Sequence, residues 1–154
     1  IRWIQTSVFL PLMRVHGYQS ETEPWKYSKE TEQRFVEAIK LRYKLMPYIL
    51  SVAKKVSDEG YTMMRPLVFD FPDEDNALKH STEYMFGPAL LINPILEQNP
   101  TTWTTYLPKS KEGWKDMWTG TYYKGGQSVT LPVSRDHIPV FIRIGHDNLL
   151  KLNY

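Results

Sequence analysis

The sequence predicts a mixed α and β fold, with a helical half joined near Gly60 to an antiparallel β-sandwich half. Three observations predict it. Apolar side chains between residues 28 and 60 recur at steps of three and four, the spacing of one helix face. After Gly60, short β-prone runs alternate with turn residues, as in a β-sandwich. The run from Tyr84 to Ile95 is almost wholly apolar and is broken only by Gly87-Pro88 and Asn93-Pro94, which suits buried strands joined by bends.

A short helix carrying Trp3, Ile4 and Val8 is expected first. Its opening, Ile1-Arg2-Trp3-Ile4-Gln5, reads like the middle of a helix, so the sequence is expected to be a piece of a longer protein. Phe9 to Met13 is expected as a short buried strand, and the residues from Gly17 to Tyr27 as a loop. The main helix is expected from Ser28, a good N-cap, with Glu30 and Glu32 where the helix dipole favours negative charge. Its apolar stripe is Phe35, Val36, Ile39, Tyr43, Met46, Leu50 and Ala53, and Gly60 is expected to stop it. Pro47 should kink this helix or split it after Met46, because proline removes a hydrogen bond and crowds the preceding turn.

In the second half, Leu67, Phe69 and Phe71 alternate with Val68 and Asp70 and predict a strand. Further strands are expected at 84–95, 103–107, 114–118, 128–133 and 139–144. Lys124-Gly125-Gly126 is expected to turn a hairpin. No internal repeat or low-complexity tract interrupts the chain.

Composition narrows the function classes. The 154 residues are 42% hydrophobic and 14% aromatic, enough for a sizeable core. The net charge is only +2 and the basic residues are dispersed, so no basic stripe for nucleic acid is expected. No apolar run approaches the length of a membrane span. No charged and then apolar leader opens the sequence, so no signal peptide is expected. The absence of cysteine excludes disulfides and thiolate metal sites.

Among chemistry-bearing residues, Arg14 and His16 come first. A lone histidine after an apolar run is commonly a hydrogen-bonded structural residue. At the C-terminal end of an α/β-barrel strand, however, it would stand where substrate-binding residues sit. Trp25, in the following loop, would either stack on a ligand or anchor packing. Asp70, Asp73, Glu74 and Asp75 lack the glycine and distal glutamate of a calcium loop and read as a solvated turn beside Pro72 and Asn76. His80, His137 and His146 show no metal-ligand spacing and read as structural or surface residues. Lys124-Gly125-Gly126-Gln127 lacks the lysine and hydroxyl of a phosphate loop. The aromatic residues Trp103, Tyr106, Trp114, Trp118, Tyr122 and Tyr123 read as core rather than as a sugar-binding face.

Taken in order, RWIQ at Arg2, FLPLMRVHG at Phe9, EPWKY at Glu23 and LRYKLMPYI at Leu41 resemble the C-terminal part of glycoside hydrolase family 31, the α-glucosidase and α-xylosidase family. The resemblance continues through MMRPLVFDFPDE at Met63, YMFGPALLINPI at Tyr84 and YLPK at Tyr106. It ends with GWKDMWTG at Gly113, GGQ at Gly125 and IPVFIRIG at Ile138. It covers nearly the whole chain, to about Gly145.

The resemblance implies that residues 1–60 are the last helices and the eighth strand of a (β/α)8 barrel, and that residues 61–154 are a proximal C-terminal β-sandwich. It implies a retaining α-glycosidase acting on terminal α-linked glucose or xylose, with no cofactor. His16 would hydrogen-bond the sugar at the cleavage point and Arg14 would support it; Val15 stands where the family usually has Asn. A retaining glycosidase uses two carboxylates about 5 to 5.5 Å apart. The resemblance places both upstream of Ile1, so no catalytic residue is expected here and the isolated chain is expected to be inactive. The expected partners are an oligosaccharide or α-glycoside substrate, the rest of the barrel and, for the isolated segment, a second copy of itself. The alternatives are a non-catalytic carbohydrate-binding or barrel-supporting module, and an unrelated interaction protein.

Overall fold

The computed structural model describes residues 1–18 and 21–150. Gln19 and Ser20 of the expected loop, and residues 151–154 of the expected second half, lie outside the described residues.

Three helices form one layer: α1 (Arg2–Ser7), α2 (Lys29–Lys44) and α3 (Met46–Glu59). Before α2 the chain makes a 3-10 turn, Pro24–Lys26. Ser28 caps α2 as expected: the Thr31 N–H donates to Ser28 Oγ at 3.2 Å and satisfies one of the first-turn donors that have no partner within the helix. The break falls at Leu45, one residue before the expected one. It puts Pro47 in the first turn of α3, where a missing N–H costs no helical hydrogen bond. Gly60 ends α3 with φ of +66°, a left-handed conformation that glycine adopts without a side-chain penalty.

The β half begins with β1 (Met64–Pro66) and two short helices, α4 (Leu67–Asp70) and α5 (Asp75–Lys79). The remaining strands are β2 (Tyr84–Phe86), β3 (Leu90–Ile92), β4 (Thr102–Leu107), β5 (Trp114–Asp116), β6 (Tyr122–Tyr123), β7 (Gln127–Pro132) and β8 (Val140–Arg143). A six-stranded antiparallel sheet has the order β1-β2-β3-β8-β5-β6, and β4 pairs with β7 in a second sheet.

The apolar run from Tyr84 to Ile95 is explained by burial on both faces. Successive side chains of a strand point to opposite sides. Tyr84, Phe86, Leu90, Ile92, Val140 and Ile142 meet the helices, packing with Ile4, Phe9, Phe35, Tyr48 and Val52. Met85, Leu91, Phe141 and Trp114 point the other way and pack with Tyr106 and Leu107 of β4, Leu67 and Ala77. The six-stranded sheet is therefore the middle layer, and its arrangement with the β4–β7 ribbon is consistent with a β-sandwich.

Four expectations are corrected. Residues 67–70 form a helical turn, not a strand: the Phe71 N–H bonds the Leu67 carbonyl at 2.9 Å, and Phe69 is 64% exposed. Lys124-Gly125-Gly126 joins strands of different sheets, because β6 pairs with β5 and β7 with β4, so it is a crossover and not a hairpin. Phe9–Met13 is not a strand; every ladder among the described residues is antiparallel and none includes this segment. The expected stripe of α2 and α3 is only partly core: Phe35 is buried, whereas Val36, Ile39, Tyr43 and Leu50 are exposed. The buried face instead uses Phe35, Ala38, Leu45, Tyr48, Ile49 and Val52, which the sheet covers.

Candidate functional site

The segment that carries Arg14 and His16 is fixed at its root. Val8 and Phe9 are buried in the helix–sheet core, and the Tyr84 hydroxyl donates to the Phe9 carbonyl at 3.0 Å. From α2, Arg42 Nη1 donates to the carbonyls of Val8 and Leu10, each at 2.6 Å, and Nη2 to that of Pro11 at 3.0 Å. Beyond Pro11 the chain runs out to an exposed surface that includes Arg14, Val15 and His16.

Arg14 Nη2 lies 2.9 Å from His16 Nδ1. A guanidinium can only donate, so Nδ1 is the acceptor and the imidazole proton sits on Nε2. The pair therefore presents Nε2–H as a donor beside a fixed positive charge. Among the described residues no ion pair ties either side chain to a carboxylate. The pair can hold a hydroxyl or another acceptor; it holds no acid/base couple. Trp25 is exposed and does not anchor packing in this chain, while Tyr27 stacks on Phe35 with centroids 6.5 Å apart.

The acidic cluster is structural, but Glu74 is not in a solvated turn. It is buried, accepts from the Tyr106 hydroxyl and accepts the Lys109 N–H at 2.7 Å. Asp70 accepts from Arg65 Nε at 3.0 Å, and Asp75 lies in the first turn of α5. Among the described residues no group of His, Asp and Glu could hold a metal ion.

His80 stacks on Tyr106 with centroids 5.0 Å apart, and its Nδ1 lies 3.2 Å from Glu83 Oε1. Burial and the neighbouring Lys79 push the His80 pKa down. His137 lies against Trp118, centroids 4.6 Å apart. The aromatic-rich segment is mainly core: Trp114 and Tyr106 are buried, and Tyr122 is exposed beneath Lys115.

Sequence reasoning missed one titratable residue. Glu83 is almost fully buried; its Oε1 accepts the Tyr106 N–H at 2.9 Å, and its Oε2 has no hydrogen-bond partner. Burial pushes its pKa up to about 8. The one available signal was an acid directly before the apolar run at Tyr84.

The sequence model of the glycosyl hydrolase family 31 C-terminal domain matches residues 60–146, and that of the family 31 TIM-barrel domain matches residues 1–52. An alpha-xylosidase of Saccharolobus solfataricus is 45% identical over 145 residues, covering 94% of this chain and 20% of that protein. Neutral alpha-glucosidase C of Mus musculus is 38% identical over 147 residues, covering 94% of this chain and 16% of that protein. Among solved structures, a xylosidase from Aspergillus niger superposes with a TM-score of 0.87 at 34% identity, over 99% of this chain and 24% of that one. The chain thus spans a quarter or less of the length of each of these relatives.

Proposed function

The chain belongs to glycosyl hydrolase family 31, and from that premise we propose that it is the C-terminal segment of a retaining α-glycosidase that releases terminal α-linked glucose or xylose. Residues 1–60 close the catalytic barrel and residues 61–154 form the supporting β-sandwich. The relatives named alpha-xylosidase and neutral alpha-glucosidase support this substrate class. The rest of the barrel supplies the nucleophile and the acid/base, so the 154-residue chain alone is inactive.

One observation carries the reading of the site: the Arg14–His16 hydrogen bond of 2.9 Å, which leaves Nε2–H free at an exposed surface. In a retaining mechanism, positive charge develops at the anomeric carbon as the leaving group departs, and a carboxylate then holds the sugar until water releases it. Hydrogen bonds to sugar hydroxyls that strengthen along this path raise kcat as well as affinity. His16 donates such a bond, and Arg14 fixes its tautomer and direction.

The test is His16→Ala in the full-length enzyme, with an aryl α-glycoside as substrate. Loss of one oriented donor predicts a fall in kcat of about 10²-fold, with an unchanged thermal transition. Unaltered kinetics would remove His16 from the site.

The exposed Trp25 favours a second reading, a carbohydrate-binding or barrel-supporting module. Tryptophan fluorescence of the isolated chain during titration with maltose or isoprimeverose separates these: saturation marks binding and a flat response marks support. Self-association of that chain would cover the exposed Val36, Ile39, Tyr43 and Leu50.

A further inference from the structure

We infer that Arg42 and Tyr84 clamp the backbone carbonyls of residues 8–11 from two different layers of the fold, and thereby set where the Arg14–His16 pair stands. The inference rests on the reading of that pair as a substrate contact and assigns it two positioning residues.

The carbonyls of Val8, Phe9, Leu10 and Pro11 are consecutive, and no ladder among the described residues takes them. The bonds at Val8, Phe9 and Leu10 are buried or part-buried, where backbone acceptors need partners, whereas the bond at Pro11 is exposed. Arg42, near the end of α2, supplies three of the bonds, and Tyr84, at the start of β2, supplies the fourth. The planar guanidinium fork suits this task, because its donors leave in fixed directions; a lysine ammonium is a single point charge on a flexible stem. Arg42 is half-buried and makes no ion pair to a carboxylate among the described residues, so its donors go to these carbonyls.

The anchoring has a consequence for the site. Val8 and Phe9 hold their side chains in the core while their carbonyls are held from α2 and β2, so the segment cannot rotate about its own axis. Pro11 then fixes φ at the last clamped residue. Only Leu12 and Met13 separate this anchor from Arg14. A displacement of about 1 Å at a reacting centre costs up to about 10²-fold in rate, so loosening the clamp should act through His16.

The experiment is a double-mutant cycle in the enzyme that carries this segment, with Arg42→Lys, Tyr84→Phe, His16→Ala and the two pairings with His16→Ala. Each clamp variant should lower kcat on an aryl α-glycoside about tenfold or more, and that loss should disappear in the His16→Ala background. Where His16→Ala itself lowers kcat, wild-type kcat in the folded clamp variants, or losses that multiply with that of His16→Ala, overturns the inference. A second readout stands apart from catalysis. In the 154-residue chain, the ¹⁵N imidazole shifts of His16 should report the Nε2–H tautomer, and Arg42→Lys should move them toward a mixture of tautomers. Unmoved shifts overturn the clamp even if His16 proves kinetically silent, which would count against the site reading instead.

Discussion

The Tyr48 hydroxyl occupies the space that a side chain at Gly87 would need. A Cβ built on Gly87 would collide with that hydroxyl and stand 2.7 Å from Val52 Cγ2. The same hydroxyl donates to the Phe86 carbonyl at 2.7 Å and accepts the Ala89 N–H at 3.0 Å, so one phenol on α3 closes the turn between β2 and β3. This contact joins the helical layer to the middle sheet.

Two substitutions should therefore be costly for different reasons. Tyr48→Phe strands a buried carbonyl and a buried N–H, and should cost about 2–3 kcal/mol in urea unfolding. Gly87→Ala meets both the left-handed penalty of about 1–2 kcal/mol and the collision, which adds about 1–3 kcal/mol. Gly60→Ala is the control: φ is +66° but nothing lies within 4 Å, so it should cost only the first contribution. Equal losses at Gly60 and Gly87 would show that the Tyr48 contact adds nothing.

Glu83 makes stability fall with rising pH. Its carboxyl titrates near 4.5 when unfolded and is pushed up to about 8 by burial in the folded chain. Between those values the folded state binds a proton that the unfolded state lacks, so raising the pH favours unfolding. The contribution of Glu83 is flat below about 4.5 and above about 8, and amounts to about 3–5 kcal/mol across the window. Glu83→Gln keeps the shape and removes the titration. It should match the wild type near pH 4 and exceed it near pH 9, as followed by urea midpoints. A wild-type slope retained in Glu83→Gln would place the titrating group elsewhere.

Gly125 marks a second close approach. A Cβ there would collide with the Pro108 carbonyl oxygen and lie 2.6 Å from the Ser110 nitrogen, both backbone atoms that no rotamer change can move. The crossover is drawn to the end of β4 by the Gly126 N–H, which donates to the Leu107 carbonyl at 2.7 Å. Gly125→Ala should part these strands and cost about 1–3 kcal/mol. Trp114 donates its indole N–H to Pro108 at 2.8 Å, so the native fluorescence should also shift to the red. A wild-type midpoint and spectrum would mean that the crossover yields without strain.

The sequence disclosed whatever depended on near neighbours along the chain. Ser28 and Gly60 bound the helical region because capping and left-handed termination are local, and Pro47 located the break to within a residue. The run at 84–95 was readable because burial on both faces leaves no polar position in a strand. The β6–β7 link was misread because a glycine pair announces a turn without naming the sheet that each flanking strand joins. Phe9–Met13 looked like a strand because an unbroken apolar run suggests one, whereas only Phe9 is buried here and Leu12 is 72% exposed. At the candidate site, the order Arg14, Val15, His16 was legible; the donors to the carbonyls before it come from Arg42 and Tyr84, far along the chain and silent in any local pattern.

Leu67, Phe69 and Phe71 offer a direct test of helix against strand. Alternation would put all three on one buried face, whereas in the helical turn Leu67 and Phe71 face the core together and Phe69 points away. Leu67 is 1% exposed and Phe69 64%. Leu67→Ala should therefore cost about 2–5 kcal/mol through the cavity it leaves. Phe69→Ala forfeits only an exposed contact with the Arg65 guanidinium, 5.6 Å from the ring centroid, and should cost less than about 1 kcal/mol. Comparable losses in urea unfolding would restore the strand; a large loss at Leu67 alone requires the turn.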